Sequence, residues 1–119
     1  MFNKDSLLEM SQSSHSPHKI IPTLIIGGHK VLDVGCNTGM IGKAILEEKN
    51  AIVDGIDINP DALSKAGEKY RKTFQRDLYL SKLDIDNEQY DYILFADILE
   101  HMPRPDLLLK DSLKYSSSR

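Results

Sequence analysis

The chain has 119 residues, 40% hydrophobic and 28% charged, which bounds it to one small globular domain and excludes a disordered polymer. Eighteen acidic against fifteen basic side chains leave a net charge of −3, which argues against a binder resting on phosphate neutralisation, a local basic patch aside, so nucleic acid is not an expected partner. A lone cysteine, Cys36, excludes a disulfide framework and a cysteine-rich zinc site and points to the cytoplasm, and no apolar run reaches the roughly 20 residues that span a bilayer.

Residues 1–17 are polar and rich in serine and histidine, and are expected to be a flexible arm with at most a helical turn around Leu7 and Leu8. The domain proper is expected over 18–119. Ile20, Ile21, Leu24, Ile25 and Ile26, closed by Gly27-Gly28, predict a short helix with a glycine stop. Lys30–Val34 predicts a buried strand, 35–39 a glycine-containing turn, and 38–48 a helix with Met40, Ile41, Ala44, Ile45 and Leu46 on one face. A second strand follows over 51–58. Asn59-Pro60-Asp61 then opens a helix to about Tyr70, with Pro60 in its first turn. A short third strand over 73–76 leads to a long connection over 77–87. Tyr92–Ala96 is apolar throughout, as a central parallel strand should be, and 105–115 is a last helix.

Strands alternating with helices, and too apolar for a one-faced sheet, predict an α/β fold: an open Rossmann-like parallel sheet with flanking helices. Ligands bind such sheets beyond the C-terminal ends of the strands. That rule directs attention to 33–39, Asp57, Asp77 and 96–101.

The stretch Val31-Leu32-Asp33-Val34-Gly35-Cys36-Asn37-Thr38-Gly39 is the most informative. Its glycines allow left-handed backbone and close approach of a ligand, and Asn37 is the next-best residue for that conformation. A dinucleotide fingerprint G-x-G-x-x-G fails, because Asn37 and Met40 replace its second and third glycines. A phosphate loop ending at Gly42-Lys43 fails because Ala44 replaces the hydroxyl residue. An acid two residues before the first glycine, Asp33, favours a ligand carrying positive charge. Asp57, at the end of the second strand, can accept hydrogen bonds from two vicinal hydroxyls, or it can cap the following helix. Asp54 is expected to be solvated or paired. Cys36 reads as a packing residue rather than a nucleophile. His15, His18, His29 and His101 have no metal-ligand spacing.

On these residues the chain resembles the class I S-adenosylmethionine-dependent methyltransferases over 20–115. VLDVGCNTG looks like the family's first motif, with Asn37 where a glycine is usual, and the segment ILEH at 98–101 looks like the common D-x-L-E-H form that begins at Asp97. The resemblance implies S-adenosylmethionine as cofactor and S-adenosylhomocysteine as product. It implies that Asp33 and the backbone of Gly35, Cys36, Asn37 and Gly39 hold the methionine end, and that Asp57, with Ile58 beside it, holds the ribose. Asp77 or Asp84 would take the adenine amino group, with Asp77 the better match and Leu78 against the ring. Ala96 and Asp97 would lie beside the methionine moiety. His101 is a candidate general base for a hydroxyl acceptor, or else a hydrogen-bonded structural histidine.

The implied reaction is methyl transfer to a small-molecule or sugar-type acceptor. The alternative is a non-catalytic cofactor-binding fragment or a subunit dependent on a partner. The family runs on to a fifth strand in the order 3-2-1-4-5-7-6, and the chain is expected to be truncated before it. Tyr92–Ala96 is then expected to be an exposed edge that self-associates or pairs with a partner chain.

Overall fold

The computed structural model describes residues 7–10, 30–48, 50–96 and 98–117. Its strands are β1 (Leu7–Met10), β2 (Lys30–Val34), β3 (Ile52–Asp57), β4 (Lys72–Gln75) and β5 (Tyr92–Ala96). Its α-helices are α1 (Met40–Glu48), α2 (Pro60–Ala66) and α3 (Pro105–Ser112), and 3₁₀ turns cover Leu78–Leu80, Leu99–His101 and Leu113–Tyr115. All strand pairs are parallel, in the order β1-β5-β2-β3-β4. This is the expected open α/β sheet. The predicted helix around Ile20–Ile26 lies outside the described residues.

Alternation along β2 sends Val31 and Asp33 to one face and Leu32 and Val34 to the other. On the first face Val31, Val53 and Leu94 pack with Ile45 of α1, Leu63 and Ala66 of α2, and Tyr70. On the second, Leu32, Val34, Ile56, Ile93 and Phe95 pack with Leu78, Leu83, Leu108 and Tyr115. Each fully buried aliphatic or aromatic side chain of these layers contributes about 1.5–3 kcal/mol by leaving water. Two cores on two faces explain why the central strands carry so few polar residues.

Helix α2 starts where the sequence places it. The Asn59 side chain accepts from the N–H groups of Asp61 (2.9 Å) and Ala62 (3.2 Å), and Pro60 follows at the first turn. It ends at Ala66, earlier than expected. Tyr70 N–H still donates to Ala66 O, a helix-type bond, but Arg71 N–H donates to Val53 O, both at 2.9 Å, so at Arg71 the chain has joined β3 and leads into β4.

Two expectations are corrected. Residues 7–10, placed by sequence in a flexible arm, form β1 and pair with β5, Leu7 opposite Ile93 and Met10 opposite Ala96. The Tyr92–Ala96 edge, expected to lie open to self-association or a partner chain, is therefore covered by the chain's own strand. The reason is the one that made the edge a liability: unpaired N–H and C=O groups on an apolar strand accept an extended segment within reach. Just before β5, Tyr90 N–H donates to Tyr115 O (2.7 Å) and Ser117 N–H donates to Tyr90 O (2.8 Å). No helix among the described residues is long and apolar enough to cross a membrane.

Candidate functional site

Because every strand runs the same way, the loops leaving β2, β3, β4 and β5 gather along one edge of the sheet. In the loop after β2, Gly35 (φ +74°), Asn37 (φ +54°) and Gly39 (φ +88°) all adopt left-handed backbone. Asn37 thus does there what a glycine would do. The Gly35 and Cys36 N–H groups both donate to Ile56 O, at 2.8 and 2.9 Å. Asn37 N–H donates to Asp57 Oδ2 at 2.8 Å, and Asn59 N–H donates to Asp57 Oδ1 at 3.0 Å. Asp57 is therefore not the helix cap, a role Asn59 fills. It joins the loop after β2 to the turn after β3, and each of its oxygens retains capacity for a second donor.

Asp33 lies behind this loop, 1% exposed, with Oδ2 accepting from the Tyr70 hydroxyl at 2.6 Å. Burial pushes its pKa up to about 6; the Tyr70 bond works against that rise and the nearby Asp57 charge adds to it. Tyr70 reaches Asp33 across a cradle of glycines. A Cβ on Gly42 would stand 2.0 Å from the Tyr70 hydroxyl, one on Gly55 would stand 2.7 Å from its ring, and one on Gly39 would stand 3.3 Å from it. Cys36 is buried against Gly55. Burial, with Asp33 and Asp57 close by, holds its thiol well above the ordinary range, so it packs rather than reacts.

A cleft of about 200 Å³ is lined by Asp57, Ile58, Arg76, Asp77, Leu78, Tyr79, Ile98, His101 and Met102. It brings together five residues singled out in the sequence: Asp57, Ile58, Asp77, Leu78 and His101. Asp77 Oδ1 accepts the Tyr79 N–H at 3.0 Å, which shapes the Leu78–Leu80 turn. Asp84 is not in the cleft wall; its carbonyl accepts from Arg76 Nε at 2.8 Å. Asp33, Gly35, Cys36, Asn37, Gly39 and Ala96 do not line the cleft either. Gly35 is covered by Ile98, whose side chain would come within 2.9 Å of a Cβ there. Asp97 lies outside the described residues, and His101 is exposed.

Sequence reasoning missed Arg76, Tyr79, Ile98, Met102 and Tyr70. The first four flank motif residues and were within reach of the strand-end rule. Tyr70 had a fainter signal: Gly42 and Gly55 sit inside a helix and a strand, where glycine weakens the element unless something large approaches.

A second polar cluster lies at the opposite end of the strands. Asp54, fully buried, accepts from Arg71 Nε (3.0 Å) and Nη2 (2.5 Å), from the Tyr90 hydroxyl (2.6 Å) and from Lys72 N–H (3.1 Å). Glu88 pairs with Arg71, with Lys72 at 3.0 Å and with Lys30 at 3.1 Å. Every acceptor is matched, so this cluster ties together the starts of β2 and β4. Asp54 is paired, one of its two expected states, and is not solvated.

The family described as "Methyltransferase domain" matches residues 32–115. The chain belongs to the class I S-adenosylmethionine-dependent methyltransferases. Among its relatives, the ubiquinone biosynthesis O-methyltransferase of Haemophilus ducreyi is 34% identical over 87 residues, covering 66% of this chain and 36% of its own. That of Glaesserella parasuis is 32% identical over 108 residues, covering 76% and 45%. The plantazolicin methyltransferase BpumL, solved with S-adenosylhomocysteine, superposes with a TM-score of 0.64 at 26% identity, over 75% of this chain and 35% of its own. The chain thus spans less than half the length of these relatives.

The family's cofactor is S-adenosylmethionine, and the acceptors in the cleft wall are of the kind its nucleoside end would need. Carboxylates are acceptors only, and Asp57 and Asp77 suit a ligand whose ribose hydroxyls and amino group are donors. Ile58, Leu78 and Met102 would supply the apolar contact that a purine face needs.

Proposed function

We propose that this chain binds S-adenosylmethionine at the C-terminal ends of β2–β5 and serves methyl transfer to a small-molecule acceptor. A hydroxyl oxygen is the acceptor class for which the names of its ubiquinone-biosynthesis relatives speak. The observation that carries this reading is the convergence of Asp57, Asp77, Ile58 and Leu78 on one cleft beside the glycine loop. In this reading Asp57 accepts from the ribose diol, Asp77 from the adenine amino group, and Leu78 and Ile58 flank the ring. Asp33, the backbone of Gly35, Cys36, Asn37 and Gly39, and Ala96 with Asp97 serve the methionine end.

Bound there, the cofactor supplies an electrophilic methyl on a sulfonium that is already a good leaving group. What remains for the chain is orientation and exclusion of water. In this reading His101, in the cleft wall, is the candidate base for a hydroxyl acceptor, with a structural histidine as the alternative role. The lone, buried Cys36 accords with a cytoplasmic setting.

The test is titration calorimetry with S-adenosylhomocysteine and, as control, NAD, followed by methyl-transfer assays with small phenols and sugars. Binding of the first alone supports the cofactor site, and transfer supports the enzyme. Binding without transfer to any acceptor would leave a cofactor-binding part that works with other chain or partner. Binding of neither would end the reading.

A further inference from the structure

Ile98 stands between the cleft and the glycine loop. It lines the cleft together with Asp57, Asp77 and Leu78. Its side chain also fills the space over Gly35, where a Cβ would meet Ile98 Cδ1 and Cγ1 at 2.9 Å. The clearance left by a glycine at φ +74° is thus taken up by this one side chain. The loop amides around it are already engaged. Gly35 and Cys36 N–H donate to Ile56 O, Asn37 N–H to Asp57, and Gly39 N–H to Cys36 O. A ligand that reaches Gly35 therefore does so by close approach, and it competes with Ile98 for the same volume. Ile98 is lightly held for a side chain in that position. It is half-buried at the margin of the second core, and the Leu99–His101 turn it opens has no side-chain cap and no buried residue.

We propose that Ile98 is a gate that sorts ligands by length: while it covers Gly35 the cleft takes a nucleoside, and a nucleoside extended at its 5′ position gains the loop only when Ile98 moves aside. The proposal rests on the binding reading above, in which Asp77 marks the base end and Asp57 the ribose end. Asp57 is bonded to the glycine loop at Asn37, so a 5′ substituent is the part that runs on toward Gly35. The size of the cleft agrees. At about 200 Å³ it falls below the roughly 300–1,000 Å³ of sites that enclose a drug-sized ligand whole.

The experiment is calorimetry with adenosine and S-adenosylhomocysteine on the 119-residue chain and on Ile98→Val, which lacks Cδ1, and Ile98→Ala. A ligand that needs a state populated about one time in ten binds about tenfold more weakly than it otherwise would. Ile98→Ala should therefore gain about tenfold in affinity for S-adenosylhomocysteine, Ile98→Val should gain less, and neither should gain for adenosine. A side chain that merely packs would give no such gain. Unchanged or weaker S-adenosylhomocysteine binding in both folded variants overturns the inference, as does an equal gain for both ligands. Wild type supplies a second arm that stands whether or not the variants fold. Stopped-flow tyrosine fluorescence, with Tyr79 in the cleft wall as reporter, should show S-adenosylhomocysteine associating about tenfold more slowly than adenosine. Equal association rates overturn the gate. Binding of S-adenosylhomocysteine without any binding of adenosine also overturns it and leaves the binding reading intact. Failure of wild type to bind either ligand overturns that reading and this inference with it.

Discussion

The Asp57 carboxylate and the Asn37 backbone amide, 2.8 Å apart, join the loops that leave two adjacent strands. One side chain therefore both shapes the glycine loop and offers its remaining acceptor capacity to the cleft.

Asp57→Ala should accordingly do two things at once. Loss of two charge-assisted acceptors should weaken S-adenosylhomocysteine binding at least about tenfold. Loss of the bonds to Asn37 and Asn59 should also lower the thermal midpoint by a few degrees. Unchanged affinity in a folded variant, measured by calorimetry, would remove Asp57 from the site.

Backbone geometry separates two substitutions in the same loop. Gly35→Val meets a left-handed φ of +74° and the Ile98 side chain 2.9 Å from its Cβ, so it should be strongly destabilised and bind nothing. Asn37→Gly keeps the backbone and should stay within about 0.5 kcal/mol of wild type. A large loss of ligand affinity in Asn37→Gly would mean that the asparagine side chain itself touches the ligand.

Gly42→Ala adds one methyl group on top of the Tyr70 hydroxyl. At an ordinary helix position the same change stabilises by about 1 kcal/mol. Here overpacking should reverse the sign and cost about 1–3 kcal/mol in urea unfolding. The double variant Gly42→Ala with Tyr70→Ala should recover part of that loss.

Two carboxylates give the stability profile slopes of opposite sign. Glu88 is held down at about 2, chiefly by the Arg71 hydrogen bond and then by Lys72 and Lys30. Its contribution is present above about pH 4.5 and is lost as pH falls toward 2. Asp33 is raised to about 6, so its contribution is full below about pH 4 and is lost as pH rises through 6, amounting to about 3 kcal/mol. Urea unfolding at intervals from pH 2 to 7 should show Glu88→Gln flattening the acid limb and Asp33→Asn flattening the decline between 4 and 6. An Asp33→Asn profile parallel to wild type across that window would contradict the buried, raised acid.

The central sheet was legible because its signals are local. Lys30–Val34 and Tyr92–Ala96 are unbroken apolar runs between turn residues, and Asn59-Pro60 is a cap followed by a first-turn proline. Asp57, Ile58, Asp77, Leu78 and His101 could be assembled on paper because a parallel sheet sends all its strand ends to one side. Tyr70 and β1 were not legible. Each depends on a partner far along the chain, Asp33 for one and β5 for the other, and neither pattern announces its partner. A four-residue segment in a polar context carries too little periodicity to be told from coil.

Strand β1 meets β5 across a long stretch of sequence, Leu7 lying opposite Ile93. Closing so long a loop is costly in chain entropy and is repaid only when β5 is already in place beside β2. Folding should therefore proceed outward from β2, β3 and β5, with β1 the last strand to dock and the first to leave. Its departure would open only the outer edge of β5, while the 35–39 loop stays tied to β3 through Ile56 and Asp57. Fraying of this kind would be confined to one margin of the sheet, away from the loops of the proposed cofactor site.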